Sequence, residues 1–90
     1  MVQEKTKSIS KSDEQKSKIR ELVLFNDDFN TFDFVIETLI EVCGHEPHQA
    51  EQCTLLVHYK GKCGVKSGPY TELKPIYKEM LNRSLTVEIQ

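Results

Sequence analysis

The chain has 90 residues, 38% of them hydrophobic, and a formal net charge of -2. At that length only about 60% of the unfolded surface can be buried, so one small core is expected and a second domain is excluded. No apolar run approaches the roughly 20 residues that span a bilayer, and the N-terminus lacks the apolar segment of a secretory signal, so a cytosolic protein away from membranes is expected.

The charge is unevenly placed. Residues 1–20 carry six bases against three acids, and residues 21–90 carry -5. An acidic body argues against nucleic acid as a ligand, because phosphate binding needs a clustered basic face, and it suits a cationic partner.

Residues 1 to about 18 consist mainly of Lys, Ser, Glu and Gln around the single internal aliphatic Ile9. Such a segment cannot offset its ordering entropy by burial, so residues 1–19 are read as a flexible basic arm and 20–90 as the folded domain. Arg20 to Phe25 is β-branched and aliphatic enough to form a strand. Asn26-Asp27-Asp28 follows, where that strand hands over to a helix.

From Thr31 to Cys43 the apolar positions Phe32, Val35, Ile36, Leu39, Ile40 and Cys43 repeat every 3.6 residues, and Gly44 stands where a left-handed terminating glycine belongs. Pro47 suits a first helical position. Ala50, Cys53, Thr54, Val57 and His58 share one face of this second helix, which Gly61 stops. Lys62 to Val65 reads as a short strand. Tyr70 to Arg83 is helical in pattern, with Pro75 expected to start, kink or split it. In the last strand, Leu85, Val87 and Ile89 alternate inward against Thr86 and Glu88. The order β-α-α-β-α-β predicts an α+β fold: a three-stranded antiparallel sheet covered by three helices.

Cys43, Cys53 and Cys63 are an odd number without an export signal, which disfavours a disulfide framework. His45, His48 and His58 lie among them, but no Cys-x2-Cys or His-x3-His spacing occurs, so no structural metal and no other cofactor is expected.

Two readings of Asn26-Asp27-Asp28 are open. Such residues form turns and cap helices. A cap needs one acceptor, which Asn30 or Thr31 can supply, and this leaves Asp27 and Asp28 without an obvious local role and available to a cation or ammonium. If the first helix starts beside this loop, Phe32 and Val35 lie one turn apart on one face, facing Thr54, Val57 and His58 of the second helix. The two faces would form an apolar cup with Asn26, Asp27 and His58 on its rim. A ligand with an ammonium beside a hydrophobic group, such as a protein N-terminus with a bulky first residue, fits that combination. Phe32, Val35 and Val57 can equally be plain core, and His58 a hydrogen-bonded, half-buried side chain. An enzyme using Asp27, Asp28 and His58, or Cys63 and His58, lacks the accompanying oxyanion donor, phosphate loop or metal set.

The string NDDFNTFDFVIETL, Asn26 to Leu39, together with LVHYKGKCGV, Leu56 to Val65, resembles the ClpS family, adaptors of the bacterial N-end rule pathway. The likeness covers about residues 20 to 90. It implies a ClpS-like core and a non-enzymatic, monomeric recognition subunit. Such a subunit binds N-degron substrates beginning with Leu, Phe, Tyr or Trp and passes them to the N-terminal domain of a ClpA-type AAA+ unfoldase for degradation by ClpP. By the same resemblance Asn26, Asp27 and His58 would hold the α-ammonium, with Asp28 supporting the loop and the following peptide backbone. Asn30, Phe32, Val35, Thr54, Val57 and, from the last strand, Leu85 would line the side-chain pocket, and Glu72 and Lys74 would contact the unfoldase. The alternative is the same fold used for protein interaction without amine recognition.

The sequence departs from the family pattern in places. Asn30-Thr31 replaces a usual Thr-Pro. Thr54 replaces a common Met, which implies a wider pocket that admits Ile or Val. Pro69 stands where an unfoldase-contacting Glu is typical, and the third helix looks shortened. The basic arm corresponds in position to the extension with which such adaptors engage the unfoldase.

Overall fold

The sequence Ile-Arg-Glu-Leu-Val-Leu-Phe forms the central strand of the sheet because Leu22, Val23 and Leu24 can all be buried there. In the computed structural model, which describes residues 18–90, the elements run β1 (Ile19–Phe25), α1 (Phe32–Cys43), α2 (Pro47–Lys60), β2 (Lys62–Pro69), α3 (Tyr70–Asn82) and β3 (Thr86–Ile89). The strand order is β2-β1-β3, antiparallel throughout. This is the expected α+β architecture. The arm expected over 1–19 lies outside the described residues up to 17, and β1 begins at Ile19.

Three features differ from the sequence expectation. The second strand extends beyond Val65 to Pro69, pairing Lys66 to Pro69 with Leu22 to Ile19 across an irregularity between Leu22 and Val23. The third helix is continuous: Pro75 neither starts nor splits it. Its missing N–H deprives only the Thr71 carbonyl, in the exposed first turn where water can substitute. Leu85 falls one residue before β3, in the turn leading into it.

Both helices that frame the site are well delimited. Thr31 caps α1, its hydroxyl accepting from the Phe34 N–H at 3.1 Å, and Gly44 ends the helix in the left-handed region at φ 75°. Glu46 and Gln49 form a reciprocal capping box at the start of α2, reinforced by Pro47, and Gly61 ends it at φ 95°. The faces that these helices turn inward merge with β1, β2 and α3 into one core, in which Leu22, Leu24, Leu39, Leu73 and Met80 are fully buried. Burying a side chain of this kind contributes roughly 1.5–3 kcal/mol.

Cys43, Cys53 and His45 are buried in this core, whereas His48 and His58 are exposed. Cys43 donates to the Met80 sulfur at 3.6 Å, and His45 Nε2 meets the Val65 carbonyl at 2.7 Å. Among the described residues no group of three or more His, Cys, Asp or Glu side chains is placed to hold a metal. Among the same residues no helix is long and apolar enough to cross a membrane.

Candidate functional site

The backbone brings the end of β1 to the end of α2. Phe25 pairs with Lys62, and the Asn26 N–H donates to the Gly61 carbonyl at 2.9 Å, three residues beyond His58. The next five residues lead to the N-terminus of α1. A cavity of about 350 Å³ opens between the start of α1, the last turns of α2 and the turn before β3.

Asn26, Asp27, Asp28 and His58 all line this cavity, as do Asn30, Phe32, Val35, Thr54, Val57 and Leu85. Every residue proposed from sequence for the amine or side-chain subsite is therefore brought to one place. Leu24, Phe25 and Thr31 also line it, beyond the residues expected from sequence. Adjacency is their one available signal: Leu24 and Phe25 end the strand that delivers the loop, and Thr31 caps the helix that leaves it. Glu72 and Lys74 lie elsewhere, exposed on the first turns of α3, with the Lys74 ammonium 5.9 Å from the centre of the Tyr70 ring.

The loop corrects one expectation, because Asp27 does have a local role. Its Oδ1 accepts from the Phe29 and Asn30 N–H groups, both at 2.9 Å, and its Oδ2 accepts from Asn30 Nδ2 at 2.9 Å. It is Asp27, and not Asp28, that organises the turn. Partial burial raises the Asp27 pKa, but the bonds from Asn30 and Phe29 outweigh it and hold the carboxyl below its ordinary value. An ionised carboxylate offers about four lone-pair directions, so one remains on Oδ2. Among the described residues no hydrogen bond engages the side chains of Asn26, Asp28 or His58.

Asn30 extends the network to the far wall. Its Nδ2 also donates to the Ser84 carbonyl at 3.0 Å, and Ser84 has a left-handed backbone at φ 66°. Arg83, on the other side of that turn, donates to Glu41 at 2.9 Å, Glu79 at 3.2 Å and Thr38 at 3.3 Å. With the Leu85 N–H donating to Met80 at 3.0 Å, the turn is held from three directions, and this places buried Leu85 in the cavity wall.

The apolar side is not all core. Val35 and Val57 are buried, whereas Phe32 is 41% exposed and packs edge-on against the His58 ring with centroids 5.3 Å apart. Tyr59 also packs against His58, with centroids 4.9 Å apart, so two rings hold the imidazole at the rim. Thr54 is buried, and its hydroxyl donates to the Ala50 carbonyl at 2.8 Å within its own helix. The polar atom that distinguishes it from a hydrocarbon is thereby satisfied without the cavity.

The electrostatics favour a cation at one end. The C-terminal carbonyls of α2 carry partial negative charge beside His58, and the Asp27 carboxylate lines the same opening. The site thus combines hydrogen-bond acceptors and negative charge on its rim with hydrophobic walls inside.

Known proteins share this arrangement of elements. Residues 14–87 match the family model described as "ATP-dependent Clp protease adaptor protein ClpS". The ATP-dependent Clp protease adapter protein ClpS of Pectobacterium carotovorum subsp. carotovorum (strain PC1) is 38% identical over 72 residues, covering 72% of this chain and 68% of its own length. The protein of the same description from Nitratidesulfovibrio vulgaris (strain DSM 19637 / Miyazaki F) is 42% identical over 55 residues, covering 59% of this chain and 55% of its own. The chain thus spans about half to two thirds of the length of the curated relatives it matches. Among solved structures, Agrobacterium tumefaciens ClpS2 bound to L-phenylalaninamide superposes with a TM-score of 0.69 at 19% identity, covering 82% of this chain and 96% of that one. At that identity the similarity is one of fold.

Proposed function

The chain belongs to the ClpS family of ATP-dependent Clp protease adaptor proteins, and from that membership we propose that its cavity receives the free N-terminus of a substrate protein whose first residue is bulky and hydrophobic. The observation that carries this reading is the joining of acceptor side chains to an apolar interior in one cavity of about 350 Å³. The related ClpS2, whose fold this chain shares, was solved with L-phenylalaninamide, which combines an α-ammonium and an aromatic side chain.

An α-ammonium has three N–H donors. The Asn26 side-chain oxygen, the remaining direction on Asp27 Oδ2 and a neutral His58 ring nitrogen supply three acceptors. Charge-assisted bonds of this type contribute roughly 1.5–3 kcal/mol each. The first side chain enters between Phe32, Val35, Thr54, Val57 and Leu85, where burial adds roughly 1.5–3 kcal/mol. Neither half suffices alone, so the site selects chain termini over internal hydrophobic segments and over small N-terminal residues. Asp28, exposed at the mouth, is assigned to the peptide backbone beyond the first residue.

The protein acts in this reading as a cytoplasmic, monomeric recognition subunit without catalysis of its own. Its partner is the N-terminal domain of a ClpA-type AAA+ unfoldase that feeds ClpP. Glu72 and Lys74 on α3 are assigned to that partner; neither lines the cavity, which leaves both surfaces usable together. The basic arm, residues 1–19, is assigned the same partner.

A second reading, protein interaction without amine recognition, draws support from the three local bonds already made by Asp27. Fluorescence anisotropy with a Phe-initiated peptide and its Nα-acetylated twin separates the two. Acetylation removes the charge and two donors, so the adaptor reading predicts saturable binding of the free peptide and at least about tenfold weaker binding of the acetylated one. Equal binding of both favours the second reading.

A further inference from the structure

Two of the three cysteines have no part in the recognition chemistry, yet they meet. Cys53 Sγ on α2 lies 2.6 Å from Cys63 Sγ on β2, and both thiols are free. Cys53 is buried at 5% exposure, whereas Cys63 is partly exposed, its sulfur also near the Gly64 carbonyl at 3.4 Å. Cys43, the third, is turned away into the core against Met80. The arrangement is that of a dithiol with one accessible and one sheltered member.

We infer that Cys53 and Cys63 form a redox modification site, closed to an intramolecular disulfide by exchange with a low-molecular-weight disulfide. The accessible Cys63, as thiolate, attacks one sulfur of the oxidant; the oxidant's S–S bond breaks and one thiolate leaves, taking up a proton from solvent. Cys53 then gives up its proton and attacks the Cys63 sulfur of the mixed disulfide, expelling the second thiolate. The protein dithiol loses two electrons and the small disulfide is reduced to two thiols. Burial and the neighbouring Cys63 sulfur push the Cys53 thiol up, so it is a poor first nucleophile and serves as the resolving thiol.

The position gives the bond a consequence. The ring it closes, residues 53 to 63, contains Thr54, Val57 and His58, the three residues that α2 contributes to the cavity. It also spans the Gly61 hinge between α2 and β2, whose carbonyl receives the Asn26 N–H. Oxidation therefore pins the α2 wall of the cavity to the sheet.

The full chain is incubated with glutathione disulfide, with dithiothreitol as control, and read by thiol titration in denaturant, intact mass and peptide mapping. The expected result is a fall from three titratable thiols to one, a mass lower by two hydrogens, a mapped Cys53–Cys63 linkage and reversal by dithiothreitol. Cys43→Ala behaves as the parent, and Cys53→Ser stops at a glutathione adduct on Cys63. Amide exchange over residues 58–62 slows severalfold in the oxidised form. Persistence of three thiols, a linkage involving Cys43, or adducts without a crosslink in the parent chain overturns the assignment, and the parent result decides even if a variant fails to fold. A crosslink that leaves exchange over 58–62 unchanged overturns the tether.

Discussion

The side-chain amide of Asn30 donates to the Asp27 carboxylate at 2.9 Å and, through the same nitrogen, to the Ser84 carbonyl at 3.0 Å. One residue thereby ties the rim that carries negative charge to the turn that delivers Leu85. Removing it releases two walls of the cavity at once while the core is untouched.

Asn30→Ala is therefore expected to weaken binding of a Phe-initiated peptide by about 5- to 20-fold, the equivalent of one to two hydrogen bonds, with little change in unfolding midpoint. Anisotropy titration and thermal circular dichroism check this. Unchanged affinity would mean that the loop and the turn hold their places without the bridge.

The Asp27 carboxyl is held below its ordinary value of 3.8 because bonds from Asn30 and Phe29 outweigh the effect of burial. For a carboxyl depressed in the folded state, the stabilisation is complete above the unfolded value and is lost as pH falls through the folded one. The Phe29 and Asn30 amide resonances should then keep their positions down to about pH 4, near the unfolded value, and move only in stronger acid. Movement that begins well above that pH and follows the Asp27 carboxyl resonance would be incompatible with the bonding described.

His58 is assigned an acceptor role at the rim of the cavity. The His58 imidazole can accept from an ammonium only when neutral, and the imidazolium repels the ligand. His58→Phe preserves a ring against Phe32 and removes the acceptor, so affinity for a Phe-initiated peptide should drop about tenfold. A variant that binds as well as the parent in an anisotropy titration assigns the acceptor role to another group.

Thr54 is buried in the cavity wall, where its size is proposed to set the width of the pocket. Its hydroxyl is satisfied by Ala50, so what it lacks relative to a longer side chain is volume. Thr54→Met should leave Phe- and Leu-initiated peptides within about threefold of the parent and weaken Ile- and Val-initiated ones by about tenfold, a difference of about 1 kcal/mol in keeping with a pocket that discriminates by a methyl group. Rejection of Ile and Val already by the parent chain would refute the wide-pocket reading.

Much of this is legible in the residues. The 3.6-residue stripe from Phe32 to Cys43 and the glycines at 44 and 61 delimit the framing helices, because burial and positive-φ backbone impose those residue types. The gathering of Asn26, Asp27, Phe32, Thr54, Val57 and His58 follows from face and order, and the resemblance adds Leu85. The segment Lys66-Ser67-Gly68-Pro69 is not legible as strand: Gly and Pro read as a turn, and only its pairing with Ile19 to Leu22 makes it extended. The local role of Asp27 is hidden because a helix cap and an Asx-type turn draw on the same residue types, and the loop uses both, with Thr31 as the cap. Nothing in Ser84 signals its left-handed backbone, which depends on Arg83 and Asn30 holding the turn from either side. The meeting of Cys53 and Cys63 is likewise a product of packing between α2 and β2.

The proposed function requires one cavity to hold both the charged start and the first side chain of a bound polypeptide. An isotope-edited NMR experiment on the chain saturated with a Phe-initiated peptide tests that requirement without an intermediary. Contacts are expected from the first ring of the peptide to the methyl groups of Val35, Val57 and Leu85, together with shifts of the Asp27 carboxyl and the His58 ring that vanish with the acetylated peptide. Peptide contacts confined to other surfaces, with those five residues unperturbed, would rule it out.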